Sequence, residues 1–131
     1  MTVLVSFRSD TKYDMRDPDG DGNQADSLLT PVKAQGGCGS CWAFATYGSL
    51  ESQIKEFLVV DEDFSEDNLK HRHGFDWGPC EGGNINMSSA YLSRYDGPIS
   101  ESDDPYDESP YSEYCIDCSP VRYIDNVFSF Q

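Results

Sequence analysis

Basic residues are scarce in this sequence. The 131 residues include 24 Asp and Glu but only nine Lys and Arg, so the formal net charge at neutral pH is -15. A surface with this charge repels the phosphates of nucleic acids and the headgroups of anionic lipids. We therefore expect no nucleic acid among the partners of this chain. The acidic runs at residues 61–63 and 103–104 are expected to be solvated.

Long apolar runs are also absent. The most apolar stretches, at residues 42–45 and 57–60, are far shorter than the roughly 20 residues that span a bilayer. Residues 1–8 contain no basic segment, sustained apolar stretch or small-residue cleavage site, so they do not resemble a secretory signal. We expect no membrane insertion, and we expect any export signal of the parent protein to have been lost from this chain.

Core-forming residues are plentiful enough for a folded domain. Hydrophobic residues make up 37% of the chain and aromatic residues 13%, which is too much for wholesale disorder. The length fits one compact unit rather than two full-sized lobes. Five cysteines favour disulfides and an oxidising compartment, which predicts a secreted or cell-surface parent protein. Their odd number leaves one thiol over, and this thiol is the first candidate functional group.

The longest predicted helix begins after Ser40 as its N-cap and runs to about Phe57. This register places Cys41 in the first turn, where unpaired N–H groups and the helix dipole favour a thiolate. Gln35 lies across the glycine-rich turn 36–39, and its amide together with the Cys41 N–H would form a two-donor oxyanion hole. The apolar stripe of the helix recurs at Ala43, Tyr47, Leu50 and Ile54.

Two further helices and a strand are predicted downstream. A short helix begins at Ser65, which is followed by acidic residues that suit the positive end of a helix. A third helix opens at Asn84 or Asn86 and is stopped by Gly97 and the proline after it. Residues 121–130 are rich in β-branched and aromatic side chains and predict a strand.

Residues 31–44, Pro-Val-Lys-Ala-Gln-Gly-Gly-Cys-Gly-Ser-Cys-Trp-Ala-Phe, resemble the active-site segment of papain-family cysteine peptidases. Other matching segments occur in the family's order at residues 13–16, 64–69, 80–83 and 97–106. The resemblance implies the α+β papain-like fold, here mainly its helical lobe with long loops and a short terminal strand. It divides the chain into an extended acidic segment (1–27), a helical lobe (28–120) and the start of a β-rich lobe (121–131).

The resemblance implies a cysteine-type endopeptidase that acts on polypeptide substrates. Cys41 would be the nucleophile and Gln35 the oxyanion donor. The family's catalytic His and Asn come from a C-terminal lobe beyond the helical one, and neither His71 nor His73 matches the position of that His. We therefore expect these 131 residues to be inactive without that missing lobe as a partner. The alternative is a non-catalytic binding or scaffold domain that retains the wall of the cleft.

The resemblance also implies a substrate-binding wall. The backbone of Gly82 and Gly83 would hydrogen-bond an extended substrate. Asn84, Ile85 and Asn86 would line the pocket for the second substrate side chain before the scissile bond. The family more often has bulky apolar residues there, so this pocket is expected to be more polar than usual.

The same resemblance implies a Cys38–Cys80 disulfide that leaves Cys41 free. Cys115 and Cys118 do not both have family counterparts, and we expect a local bridge between them. Two other interpretations of the cysteines remain open. The Cys38-Gly-Ser-Cys41 segment resembles a dithiol redox motif, and the two C-x-x-C pairs together would supply a zinc tetrad.

An acidic loop near the start of the chain follows part of a calcium-loop pattern. Gly22 occupies its sixth position, but Leu28 stands at position 12 where the bidentate Glu belongs. Weak calcium binding and a solvated acidic turn both remain open, and no other cofactor is expected. The carboxylates at positions 1, 3 and 5 are those of Asp17, Asp19 and Asp21.

Overall fold

The computed structural model describes residues 13–125. Its regular elements in this range are three α-helices, α1 (Cys41–Leu58), α2 (Glu66–Arg72) and α3 (Ile85–Ser93), and a short 3-10 turn at Gln24–Asp26. Residues 13–125 contain isolated β-bridges but no multi-residue strand. None of the helices in this range is long and apolar enough to cross a membrane.

Helix α1 carries the apolar stripe that its sequence predicts. Ala43, Tyr47 and Ile54 are buried, and Leu50 packs partly buried against the same cluster. Ser40 is the N-cap residue as predicted, but its hydroxyl makes no capping bond. That hydroxyl lies 2.7 Å from the Tyr106 hydroxyl, so it makes a tertiary contact rather than a hydrogen bond with the helix end.

Helix α2 is short and almost entirely buried, although most of its residues are polar. Its N-cap Ser65 accepts a hydrogen bond from the Asn68 backbone N–H (3.0 Å), as the predicted cap requires. Asp67 and Lys70 are both fully buried and form an ion pair of 2.8 Å across one turn. Lys70 also donates to the backbone carbonyls of Asp107 and Ser109, so the helix anchors the acidic loop that follows α3.

Helix α3 has Asn84, not Asn86, as its cap. The Asn84 side chain accepts hydrogen bonds from the N–H groups of Asn86 (3.0 Å) and Met87 (3.3 Å). The helix ends at Ser93, before the predicted stop, because Tyr95 adopts a left-handed conformation (φ 61°) that interrupts the helix.

The core is one cluster to which all three helices contribute. Phe44 is only partly buried and packs edge-to-face on Tyr106, with ring centroids 4.9 Å apart. The buried members of the cluster are Trp42, Ala43, Tyr47, Ile54, Phe64, Leu69, Met87, Tyr91 and Leu92.

Two expectations for polar and terminal segments need correction. Asp104 is 4% exposed rather than solvated, because its carboxylate accepts hydrogen bonds from the Asn68 side chain (2.7 Å) and the Cys115 N–H (2.9 Å). Asp63 is exposed but paired with Lys33 at 2.6 Å. Residues 121–125 form no strand, and the rest of the predicted strand lies outside the described residues.

Candidate active site

Cys41 is the first residue of α1 and carries the free thiol among the five cysteines. Disulfides join Cys38 to Cys80 and Cys115 to Cys118. This pairing removes both the Cys38–Cys41 dithiol and the four-thiolate zinc set from consideration. The Cys41 side chain is exposed, and its backbone N–H belongs to the helical turn that has no intrahelical acceptors. A nucleophilic sulfur and an unpaired N–H donor therefore come from one residue.

Gln35 folds back across the glycine turn toward the start of α1. Its side-chain nitrogen donates to the Cys38 carbonyl at 2.9 Å. A primary amide has two N–H groups, so this bond fixes the amide while leaving the second N–H for another acceptor. The sequence expectation of an amide folded back over this turn agrees with this geometry.

Gly36 in this turn is required by its close contact with the loop that follows α3. Gly36 has a left-handed φ of 62°, and a Cβ there would lie 1.7 Å from a carboxylate oxygen of Glu108. The same oxygen accepts the Gly37 N–H at 2.7 Å. Glu108 thus closes over the turn from the far side of the chain, and a side chain at residue 36 would displace it.

Backbone hydrogen bonds beside the Cys38–Cys80 disulfide join the glycine turn to residues 80–82. Gly39 donates to the Cys80 carbonyl and accepts from the Gly82 N–H, both at 3.1 Å. The Gly82 N–H is therefore used within the protein and is not available to a substrate. Within residues 13–125 no hydrogen bond to the Gly83 backbone is found, so Gly83 is the freer member of the pair.

Trp42 explains why residue 83 is a glycine. A Cβ at Gly83 would lie 2.5 Å from the indole ring of Trp42. The ring also packs edge-to-face on His73, with centroids 5.7 Å apart. The residue after the candidate nucleophile therefore supports the candidate substrate edge from below.

A pocket of about 280 Å³ opens next to this edge. Asn84 lines it, as expected for the substrate pocket, but Ile85 and Asn86 do not. Asn84 caps α3, and the first turn of that helix directs Met87 rather than its neighbours into the pocket. The lining residues are Phe75, Asp76, Trp77, Glu81, Gly83, Asn84 and Met87.

The two histidines are held in structural contacts on or beside α2. The His71 Nε2 atom lies 2.9 Å from the Ser112 hydroxyl, and its ring stacks on Tyr114 with centroids 4.6 Å apart. His73 accepts the Phe75 N–H at 3.0 Å and is 2% exposed. Burial lowers the pKa of both rings.

A charge cluster with two buried carboxylates, those of Glu51 and Glu66, lies behind residues 31–44. Lys33 is paired with Glu51 (3.1 Å), Asp63 (2.6 Å) and Glu66 (2.8 Å). Burial raises the pKa of Glu66 to about 7, and the Lys33 ammonium opposes that rise. These contacts join the start of the segment to α1 and α2.

The loop near the start of the chain, which follows part of a calcium-loop pattern, contains one more clustered carboxylate than that pattern predicts. Asp26, from the 3-10 turn, joins Asp17, Asp19 and Asp21, and the ligand atoms of all four lie within 4.8 Å of one another. Leu28, at the missing twelfth position, is buried in the protein. The carboxylates already accept loop N–H groups, for example Gly22 to Asp17 at 3.1 Å.

Sequence reasoning missed two residues of the site, Tyr106 and Glu108. Both lie about 70 positions after the glycine turn that they contact. The matching Asp-Pro-Tyr segment was visible in the sequence, but no local pattern says which residues it will contact. A distant polar contact of this kind follows only from the fold.

The comparisons with known proteins agree with this geometry. A sequence profile described as "Papain family cysteine protease" matches residues 10–126. Mouse cathepsin K is 37% identical over 108 residues, covering 77% of this chain and 32% of the relative. Cysteine proteinase 3 of Entamoeba histolytica is 40% identical over 80 residues, covering 61% and 26% respectively. The chain thus spans about a quarter to a third of the curated relatives it matches.

Solved structures show the same likeness. A structure from a study of the mite allergens Blo t 1 and Der p 1 superposes with a TM-score of 0.62 and 30% identity, covering 72% of this chain and 32% of that one. Recombinant stem bromelain precursor superposes with a TM-score of 0.63 and 26% identity, covering 75% and 32%. The papain-like fold, represented here mainly by helices, is therefore confirmed. By the match over residues 10–126, this chain belongs to the papain family of cysteine proteases.

Proposed function

We propose that this chain is the helical lobe of a cysteine-type endopeptidase, with Cys41 as nucleophile and Gln35 as oxyanion donor. The observation that carries the proposal is the free, exposed thiol at the first residue of α1, while the other four cysteines are bonded in disulfides. We also propose the sequence-based division of the chain, with the helical lobe at residues 28–120 and the start of a β-rich lobe at 121–131.

In the proposed reaction the Cys41 thiolate attacks the carbonyl carbon of a peptide bond. The developing oxyanion accepts hydrogen bonds from the Cys41 N–H and from the Gln35 N–H that the Cys38 carbonyl does not use. The carbon–nitrogen bond then breaks, and the leaving amine takes a proton. Water hydrolyses the resulting thioester and regenerates the thiol.

Proton transfer to the leaving amine requires a general acid and base. Within residues 13–125, no described contact supplies such a group to Cys41. His71 and His73 are both engaged in structural contacts, so neither is offered for that role. The proposal assigns it to a second lobe, which the chain requires as its partner. Covalent catalysis by a thiolate needs no cofactor. The Asp17, Asp19 and Asp21 carboxylates, with Asp26, would hold calcium weakly at best.

Substrate binding is proposed at the edge beside α3. Gly83 offers the backbone groups for an extended peptide, since the Gly82 N–H is bonded to Gly39. The pocket lined by Asn84 and Met87 would take a substrate side chain, and its acidic and amide groups make it more polar than an aliphatic pocket. The two disulfides fit an oxidising compartment, which supports a secreted or cell-surface parent protein.

The test treats the 131-residue chain with iodoacetamide and, separately, with a fluorogenic peptide. We expect alkylation confined to Cys41 and no peptide turnover, because general-base catalysis supplies roughly 10²–10⁴-fold in rate. The Cys41→Ser variant is the matched control for both assays. An unreactive Cys41 would contradict the nucleophile, and turnover that depends on Cys41 would contradict the inactivity of the isolated chain. A chain that binds peptide without a reactive thiol would favour the scaffold alternative.

A further inference from the structure

We propose that Tyr106 is a positioning residue of the active site, whose hydroxyl fixes both ends of the turn that carries the oxyanion hole. This inference rests on the proposed function, because it concerns how Gln35 and Cys41 are held. Tyr106 lies in the loop after α3, far from both residues in sequence, and it is linked to them by contacts of its hydroxyl and ring.

The Tyr106 hydroxyl lies between the two residues that flank the turn. It is 2.7 Å from the Gln35 backbone carbonyl and 2.7 Å from the Ser40 hydroxyl. A phenol has one proton, and a carbonyl oxygen only accepts. Tyr106 therefore donates to Gln35, and the Ser40 hydroxyl donates to Tyr106. One phenolic oxygen thus connects the residue of the proposed oxyanion donor to the residue that precedes the nucleophile.

The phenol ring is itself held in place. Phe44, on α1, packs edge-to-face on it, and the buried Lys70 ammonium lies 4.7 Å from its centroid. The Tyr106 backbone N–H donates to the Glu101 carboxylate at 2.7 Å. Burial raises the pKa of the phenol, so the hydroxyl keeps the proton that it donates to Gln35. The two bonds to the turn are therefore made from a fixed point.

The consequence for the oxyanion hole follows from the unused cap of α1. Ser40 occupies the N-cap position, but its hydroxyl is turned toward Tyr106 and makes no capping bond. Loss of the Tyr106 hydroxyl would free Ser40 to turn onto the helix N–H groups, as N-cap serines normally do. It would also release the Gln35 carbonyl, so the amide and the Cys41 N–H would lose their fixed relation.

The test compares two reagents that attack the same thiolate of the 131-residue chain. With p-nitrophenyl acetate, the Cys41 sulfur bonds to the carbonyl carbon, an oxyanion develops, and p-nitrophenolate leaves to give a thioester. With iodoacetamide, the sulfur displaces iodide from carbon and no oxyanion forms. The other four cysteines are in disulfides. Amines and imidazoles also react with the ester, so the rate measured with Cys41→Ser is subtracted, and both corrected rates then report on Cys41. The ratio of acylation to alkylation rate constants therefore measures oxyanion stabilisation rather than thiolate content or folding.

We expect Gln35→Ala to lower this ratio about 10-fold or more, in line with the loss of an oxyanion donor. Tyr106→Phe, which keeps the ring, should lower it about 3- to 10-fold, since the donor remains but is misplaced. Ser40→Ala removes the other partner, and combined with Tyr106→Phe it should add less than its effect alone. The matched control is Tyr91→Phe, which removes a buried hydroxyl that donates to Asn68 (2.7 Å) and should leave the ratio within about twofold.

The outcomes separate the two proposals. If Gln35→Ala leaves the ratio unchanged, the proposed oxyanion hole is wrong, and the role of Tyr106 falls with it. If Gln35→Ala lowers the ratio while Tyr106→Phe and Ser40→Ala both leave it unchanged, the oxyanion hole stands and the positioning role is overturned. Equal losses in Tyr106→Phe and Tyr91→Phe would also overturn it, because they would reflect a general loosening of the fold.

Discussion

Helices α1 and α2 pack against each other but bury opposite kinds of surface. Helix α1 turns an apolar stripe and one buried acid, Glu51, to the core, whereas α2 buries Glu66, Asp67, Asn68 and Lys70 almost completely. Apolar burial is favourable by itself, but buried charges are tolerated only when they are paired and hydrogen-bonded. Helix α1 thus carries the proposed nucleophile, and α2 supplies the polar contacts that hold the loop that follows α3. The stability of the site depends on the second kind of burial as much as on the first.

Stability is expected to fall most when one partner of the buried ion pair in α2 is removed. Lys70→Met leaves the Asp67 carboxylate buried without its cation and removes the donor to two backbone carbonyls of the loop that follows α3. We expect the free energy of unfolding to fall by about 3–5 kcal/mol, as measured by urea denaturation. Lys55→Met, whose partner Asp61 is 79% exposed, is the control and should cost less than about 1 kcal/mol. Equal effects would show that the α2 charges are effectively solvated.

Local sequence signals predict which side chains of α1 are buried, but they do not predict the burial of α2. The reason is that such signals describe only residues that are neighbours in the sequence. Burial of Ala43, Tyr47 and Ile54 follows from a local 3.6-residue periodicity. No such periodicity predicts the burial of the charges of α2, since Lys and Asp are rarely buried unless paired. Their partners come from a loop about 40 residues away, which no local pattern specifies.

The site divides along the same line. Cys41 and Gln35 lie in a recognisable local motif, whereas Tyr106 and Glu108 reach that motif only through the fold. The cap of α3 at Asn84 follows from a local feature. Which side chain of the first turn enters the pocket depends on the orientation of α3, which is set by packing against the core, and Met87 rather than Ile85 lines it.

A second prediction concerns Glu66, the buried acid with the raised pKa. Its pKa is about 7 in the folded protein, against 4.5 for an ordinary glutamate. The folded state therefore binds a proton more readily than the unfolded chain, so this contribution to stability is present at low pH and is lost as the pH rises from 4.5 to 7. The loss should be on the order of 3 kcal/mol.

The measurement is the unfolding free energy of the wild type and of Glu66→Gln at several pH values across this window. The amide cannot ionise, so the difference between the two proteins should change with pH in the direction that favours Glu66→Gln at pH 7. A difference that is independent of pH would show that Lys33 keeps Glu66 ionised throughout.

The N-cap residues of α2 and α3 also differ in burial, and smaller losses of stability are expected from their removal. Ser65 caps α2 while fully buried, and its hydroxyl also donates to the Asp104 carbonyl at 2.6 Å. Asn84 caps α3 at an exposed position. We expect Ser65→Ala to cost about 2 kcal/mol and Asn84→Ala about 1 kcal/mol in urea denaturation, because only the first leaves a buried carbonyl unpaired. The reverse order would contradict the importance assigned to the contacts of α2.

The smallest effect is expected from the exposed acids at the other end of the chain. Unlike the acids of α2, Asp19, Asp21 and Asp26 face solvent, and no bidentate Glu completes their loop. We expect millimolar calcium to stabilise the fold by less than about 1 kcal/mol, which corresponds to a dissociation constant in the millimolar range. Thermal unfolding in EDTA and in 5 mM calcium (about the concentration that such a site needs) measures this shift.

The matched control is Asp26→Asn, which removes the carboxylate that the sequence pattern did not include. It should abolish any calcium shift while leaving stability in EDTA nearly unchanged, since Asp26 is exposed. A magnesium arm distinguishes specific binding from charge screening, because screening by either divalent ion would be similar. Submicromolar calcium affinity in titration calorimetry would contradict the prediction. It would mean that four clustered carboxylates bind the ion tightly without the missing Glu, and that solvent exposure does not limit the contribution of this loop.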